Sequence, residues 1–280
     1  MISEERIKQL EDKARQLRLS VVEMIGVGSV GHLGGSCSCA DVVAALYYYR
    51  MSFDPQDPGK ADRDRFLLSK GHAALVQYAA LADLGFFPQE ELQQVKVLGA
   101  MLQGHPDKVK TPGIEANTGS LGQGLSIANG MALGLRLDGI KSKVFVLLGD
   151  GELAEGQVWE AAMASTNFAL DNLLAIVDQN GLQATGPIVE RFNSNPIAPK
   201  WAAFGWHVIE IDGHNMRGIV AAIDEADTVR GKPTVIIAKT VKGKGVSFAE
   251  NNVAFHNGAM TAEQYEQAKR ELSLVAKRGC

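Results

Sequence analysis

Two unbroken apolar runs, Val144–Leu148 and Leu173–Val177, constrain this chain more than anything else in it. Each is strand length, and each closes in a polar turn, Gly149-Asp150-Gly151 after the first and Asp178-Gln179-Asn180-Gly181 after the second. Continuous hydrophobicity over five residues means burial on both faces, which is the signature of a parallel sheet covered by helices. The stretch between them, EGQVWEAAMASTNFAL, has helical character, so the three segments form a βαβ unit. Three further segments fit the same sheet: RFLLSKGH, GWHVIEIDG and KPTVIIAKT. Helices are expected over 4–28, 40–50 with Ser38 as its cap, near 73–84, 88–98 and 125–138, over 215–229 and from about 261. Residues 26–35 and 101–124 are glycine-rich and aperiodic and are predicted to be loops, and a loop as long as the second is usually functional. With no internal repeat, low-complexity tract or linker, the reading is one doubly wound α/β domain over 1–280 with helices on both faces of the sheet.

Ligands of such sheets sit beyond the carboxyl ends of the strands. That rule picks out Leu68–His72, Gly149–Glu152, Asp178–Gln183, Asp212–Asn215 and Thr240–Gly245. Asp150 and Asn180 stand thirty residues apart in sequence, at the ends of two strands joined by one crossover, so they meet at the sheet's rim. A carboxylate, an amide oxygen and a backbone carbonyl aimed by the Gly181-Leu182 turn form an all-oxygen set suited to a hard divalent cation, Mg²⁺ or Ca²⁺. Such a cation prefers to complete its shell with phosphate oxygens and water, and the nearby helix start adds positive dipole. The expectation is a metal-bridged diphosphate site. A Gly-Asp-Gly alone is an ordinary turn; the spaced asparagine raises it above that. A dinucleotide site is the natural rival, but no G-x-G-x-x-G follows a strand and no P-loop lysine signature is present.

The formal charge of -4, without a basic run, argues against nucleic acid. The three cysteines, Cys37, Cys39 and Cys280, make a poor disulfide framework and read as reduced thiols. The charged, helical N-terminus lacks a signal-peptide pattern, and no apolar run is long enough to span a bilayer, which gives an expectation of a soluble cytoplasmic protein.

The string LLGDGELAEGQVWEA with Asn180 resembles the thiamine diphosphate fingerprint as transketolases carry it. GHLGGS (31–36), LSKGHAA (68–74), GHP (104–106), TGSLGQGL (118–125), AFGWH (203–207) and AKTVKGKG (238–245) are similar to the same family and keep its order. The resemblance covers the N-terminal portion of a full transketolase, as in the N-terminal subunit of a split enzyme. It implies that Asp150, Asn180 and the carbonyl of Leu182 bind Mg²⁺ or Ca²⁺. It implies that Gly119, Ser120, Leu121 and Gly151 pack against thiamine diphosphate, with His72 and Lys242 near its diphosphate. His32, His105 and His256 match catalytic positions lining the substrate funnel, and Glu155 and Glu160 match acids of the dimer interface. The implied reaction moves a two-carbon ketol unit from a ketose phosphate to an aldose phosphate. The implied partner is a C-terminal transketolase subunit in a heterotetramer with two of each chain, because the pyrimidine-binding domain and its activating glutamate are expected there.

Two departures from the family stand out: Leu33 follows His32 where proline is common, and Gly34-Gly35 replace larger side chains. From the residues alone, Lys242 and Lys244 read equally well as solvated surface lysines, and His207 and His214 read as structural. Related alternatives are half of a deoxyxylulose phosphate synthase-like or 2-oxo acid enzyme. A non-catalytic cofactor module is a different class, and intact Asp150, Asn180 and glycine loops speak against it.

Overall fold

The computed structural model describes residues 2–274; Cys280 lies outside them. Five strands, β1 (Arg65–Leu68), β2 (Val144–Gly149), β3 (Leu173–Gln179), β6 (His207–Asp212) and β7 (Thr234–Lys239), form one sheet in the order β1-β2-β3-β7-β6, every pair parallel. A small antiparallel pair, β4 (Leu182–Gln183) and β5 (Gly186–Pro187), stands apart at the rim. All five predicted strands are present.

The apolar runs divide their side chains by period two, as pleating requires. Phe66, Leu68, Phe145, Leu147, Leu174, Ile176 and Ile236 enter one core, shared with α1 (Glu4–Ile25), α3 (Ala40–Ala45), α4 (Ala74–Asp83), α9 (Met216–Ala226) and α10 (Ala262–Leu274). Leu67, Val144, Val146, Leu148, Ala175, Val177, Val235 and Ile237 enter the other, shared with α5 (Gln123–Leu137), α6 (Gly156–Asn167) and α8 (Ile197–Ala203). Burial on both faces is thus satisfied by a helical layer on each, as doubly wound folds require. The chain runs β1-β2-β3 in one direction across the sheet, leaves for the far edge at β6 and returns through α9 to β7. The reversal falls between β3 and β7, so their carboxyl ends open the crevice where ligands of such folds bind.

Three predicted elements differ. No helix covers 88–98; Gln89–Gln94 form a 3₁₀ turn in which no side chain is buried, so QEELQQ has no apolar face to hold a longer helix. Ser38 does not cap the helix after it. It ends a short helix, α2 (Leu33–Ser38), which starts inside the predicted glycine loop, and its hydroxyl donates to Gly35 O and Asp178 Oδ2. The regular helix predicted over 40–50 becomes a π-type turn at Leu46–Arg50. Among the described residues no helix is long and apolar enough to cross a membrane.

Candidate active site

The crevice at the β2, β3 and β7 ends is a cavity of about 250 Å³ lined by Lys70, His72, Leu121, Asp150, Asn180, Leu182, Lys242 and His256, among others. Strand register brings its first members together: Gly149 pairs with Asp178, and Gln179 with Lys239. Asp150 and Asn180 therefore leave adjacent strands at the same height.

Asp150 is 2% exposed. Its Oδ1 accepts from Gly151 N at 2.8 Å and its Oδ2 from Gly181 N at 2.6 Å. Among the described residues it makes no ion pair. Burial and the neighbouring Asp178 charge push its carboxyl up to about 6, against the pull of those backbone donors. Asn180 donates its Nδ2 to Asp178 Oδ2 at 2.9 Å, which leaves Oδ1 as the outward atom, accepting from Leu182 N at 3.1 Å. The Leu182 carbonyl accepts from Lys242 Nζ at 3.0 Å. Asp150, Asn180 and Leu182 thus line one cavity, and an ammonium already sits against the Leu182 carbonyl.

Lys242 is 2% exposed, which decides against the solvated-surface reading for it; Lys244 is the more accessible of the pair, its side chain 39% exposed. Burial, with Lys70 nearby, lowers the Lys242 ammonium to about 8. The Gly34-Gly35 departure has a steric reason. A Cβ at Gly34 would lie 2.9 Å from Lys242 Cγ, and one at Gly35 would lie 3.2 Å from His72 Nε2. Those glycines are the room into which the two side chains fit.

Four of the six histidines gather above this floor. His32 lies 5.2 Å from His72, 6.0 Å from His105 and 5.7 Å from His256, ring centre to ring centre, and His72 lies 5.0 Å from His256. They arrive from four separate segments. Paired backbone bonds between Gly31 and Gly258, 3.0 and 3.1 Å, tie the His32 loop to the His256 loop. Gly119, at φ 138°, lets the His105 ring come so close that a Cβ there would stand 2.6 Å from its Cδ2. Burial first, then nearby positive groups, hold His32 and His256 at about 4 and lower His72 and His105 as well. At neutral pH the cluster is therefore uncharged, and each ring offers one donor and one acceptor. His256 Nδ1 is buried with no partner among the described residues.

Of the remaining expected residues, Leu121 and Gly151 line the cavity, whereas Ser120 is exposed and outside its lining. Glu155 and Glu160 are exposed at the start of α6. His207 pairs with Glu225 on the surface, away from the cavity.

Three buried polar residues beneath the floor escape a reading by motif role. Lys70 Nζ pairs with Asp178 Oδ2 at 2.6 Å and also donates to Gly35 O at 2.8 Å. Burial alone would raise the Asp178 carboxyl; Lys70, with Ser38 and Thr240, outweighs it and the net shift is downward. Glu152 accepts from Ser69 Oγ, Gly122 N and Gly149 N, so one carboxylate ties the β1 end, the 119–122 loop and the Gly-Asp-Gly turn together. The usable signal was charge at the end of a wholly apolar strand, since a buried ion needs a partner from another strand end.

Residues 9–278 match the family described as "Transketolase, thiamine diphosphate binding domain". The chain is 46% identical over 271 residues to the "6-deoxy-6-sulfo-D-fructose transketolase subunit SqwG" of Clostridium sp. (strain MSTE9), covering 97% of this chain and 98% of that one. It is 42% identical to a subunit of the apulose-4-phosphate transketolase of Phocaeicola vulgatus, covering 95% of each. Transketolase from Leishmania mexicana superposes with a TM-score of 0.86 at 31% identity over 97% of this chain but only 41% of that longer one. The chain thus spans nearly all of the two bacterial relatives and about two-fifths of the full-length enzyme. With a parallel sheet whose β2, β3 and β7 ends frame an acid, an amide and a lysine below a histidine cluster, and with this kinship, the chain belongs to the transketolase family, of which it is the thiamine diphosphate-binding portion.

Proposed function

We propose that this chain is the N-terminal subunit of a transketolase that moves a two-carbon ketol unit from a phosphorylated ketose to a phosphorylated aldose, and that it works only with a C-terminal partner subunit. We read all of 1–280 as one diphosphate-binding domain, with the pyrimidine-binding domain on the partner and two copies of each chain in the assembly.

The observation that carries the cofactor reading is Asp150: a buried carboxylate with no cationic side chain paired to it among the described residues, beside the Asn180 amide oxygen and the Leu182 carbonyl. A buried charge is paired or binds a metal. The donor set is all oxygen, which fits Mg²⁺ or Ca²⁺, and the Lys242 ammonium against the Leu182 carbonyl is evidence that this oxygen favours a cation. Asp150, Asn180 and Leu182 would hold the metal. Gly119, Leu121, Gly151, His72 and Lys242 would surround thiamine diphosphate, and Ser120 would reach it only by a shift of its loop. When bound, the cofactor supplies the electron sink for carbon–carbon cleavage. This chain's own work is orientation and proton handling. His32, His105 and His256, held neutral, donate to and accept from sugar hydroxyls and move protons at those oxygens. Exposed Glu155 and Glu160 are available to a second subunit.

The relatives named for 6-deoxy-6-sulfo-D-fructose and for apulose 4-phosphate make the donor's anionic end the point to test. The chain, co-purified with its partner from its native cells, is assayed with xylulose 5-phosphate and with 6-deoxy-6-sulfofructose, ribose 5-phosphate being the acceptor. Thiamine diphosphate-dependent formation of a seven-carbon ketose phosphate, abolished by Asp150→Ala, supports the reading. Ketol transfer from the sulfonated donor alone keeps the reaction and replaces the phosphorylated donor. Full turnover by the isolated chain refutes the need for a partner.

A further inference from the structure

His214 stands in the Asp212–Asn215 turn after β6, outside the cavity lining, and has no place in the reading above. Its ring is nevertheless spanned between a buried carboxylate and a half-buried backbone N–H. Nδ1 lies 2.7 Å from Asp41 Oδ2, and Nε2 lies 2.8 Å from the backbone nitrogen of Val241. A backbone N–H only donates, so Nε2 is the acceptor, Nδ1 carries the proton, and the ring is the neutral tautomer with its N–H on the Asp41 carboxylate. Asp41 is itself held by both Arg18 guanidinium NH2 groups, with Arg18 Nε donating to Cys37 O at 3.1 Å. Arg18 and Asp41 are each 7% exposed. A fixed chain therefore runs from α1 through α3 and His214 to Val241, the residue before Lys242. The turn is also pressed onto the same segment. Gly213 N donates to Lys239 O at 2.8 Å, and a Cβ at Gly213 would stand 2.5 Å from Thr240 Cγ2.

We propose that His214 is a positioning residue: through its acceptor nitrogen on Val241 it sets the posture of the 240–243 loop and keeps the Lys242 side chain directed into the cavity, on the diphosphate side. Only that last phrase rests on the function proposed above; the posture of Lys242 does not.

The test separates the two. Acylation footprinting of lysines on the full chain, read by mass spectrometry, is compared for wild type, His214→Leu and His214→Gln. Glutamine places an acceptor oxygen where Nε2 stands; leucine does not. The expected result is about tenfold faster labelling of Lys242 in His214→Leu, the size of one lost hydrogen bond, with His214→Gln close to wild type. Lys70, equally buried but off the loop, stays protected. Unchanged labelling of Lys242, or labelling of Lys70 rising in step with it, overturns the proposal, the second because it marks a loosened fold. In the assembled enzyme the same leucine variant raises the KM for thiamine diphosphate about tenfold and leaves kcat near wild type. Shifted labelling with an unmoved KM supports the positioning of Lys242 and overturns its role at the diphosphate.

Discussion

The ends of β2 and β3 each bury an aspartate, and the two are held in opposite ways. Asp178 has the Lys70 ammonium at 2.6 Å and hydroxyl or amide donors from Ser38, Thr240 and Asn180; its net shift is downward and its charge is answered inside the chain. Among the described residues, the Asp150 carboxylate has only the backbone N–H groups of Gly151 and Gly181, and it is pushed up to about 6. One acid belongs to the fold. The other has no cationic side chain paired to it among the described residues, which is what the proposed metal site requires. Neighbouring strand ends of one sheet thus hold one carboxylate that is paired within the chain and one that is not.

The largest effect that tests this division is on the self-satisfied side. Lys70→Met leaves Asp178 buried and unpaired, and is expected to cost about 3–5 kcal/mol in urea unfolding. A loss below about 1 kcal/mol would show that Asp178 needs no internal partner.

Asp150→Asn should behave in the opposite sense. A carboxyl whose folded pKa lies near 6, above its unfolded value of 3.8, favours the folded state only while protonated. The charged form therefore costs stability progressively as pH rises from about 4 to about 6, and the cost stays constant above that. The asparagine variant, measured without metal, is expected to match wild type near pH 4 and to exceed it by up to about 3 kcal/mol at pH 7. The same substitution should weaken the binding of Mg²⁺ with thiamine diphosphate about a hundredfold, at least what losing an outer-shell partner of a metal ligand costs. Isothermal titration of the assembled enzyme checks the second half. A variant both less stable and still cofactor-binding would reverse the comparison.

Gly119→Ala sharpens the contrast between the floor and the histidines above it. The new methyl would displace the His105 ring, now within 2.6 Å of that position, and the backbone φ of 138° resists any side chain. Turnover should fall by about ten- to a hundredfold, as misplaced reacting groups do. Lys244→Ala, one residue past Gly243 but half-exposed and 3.8 Å from Glu250, should shift stability by less than about 0.5 kcal/mol and leave cofactor affinity alone, unlike Lys242→Ala.

Much of this was legible beforehand. The five strands announced themselves because residues buried on both faces leave no polar alternation, and Gly-Asp-Gly with a spaced asparagine pointed to residues that the strand ends bring to one rim. Other features were not legible. QEELQQ has the composition of a helix and no face to bury, so only the absence of a partner surface betrays it. Nothing near Lys242 in sequence says that Gly34 makes its pocket, two hundred residues away. His214 reads as a turn residue until Asp41 and Val241 are seen on either side of its ring.

The sequence by itself determined the class of sheet, the order of its elements and the chemical identity of the oxygens at its rim. These follow from local pattern: hydrophobic periodicity, glycine in turns and donor type. Tertiary structure alone decided which charge is answered within the chain, which lysine is buried, that four histidines from separate loops stand within 6.0 Å of His32 or of one another, and which turn holds the Lys242 loop. Those are properties of long-range juxtaposition. Burial and the distance between charges set them, and neither has any expression in the spacing of residues along the chain.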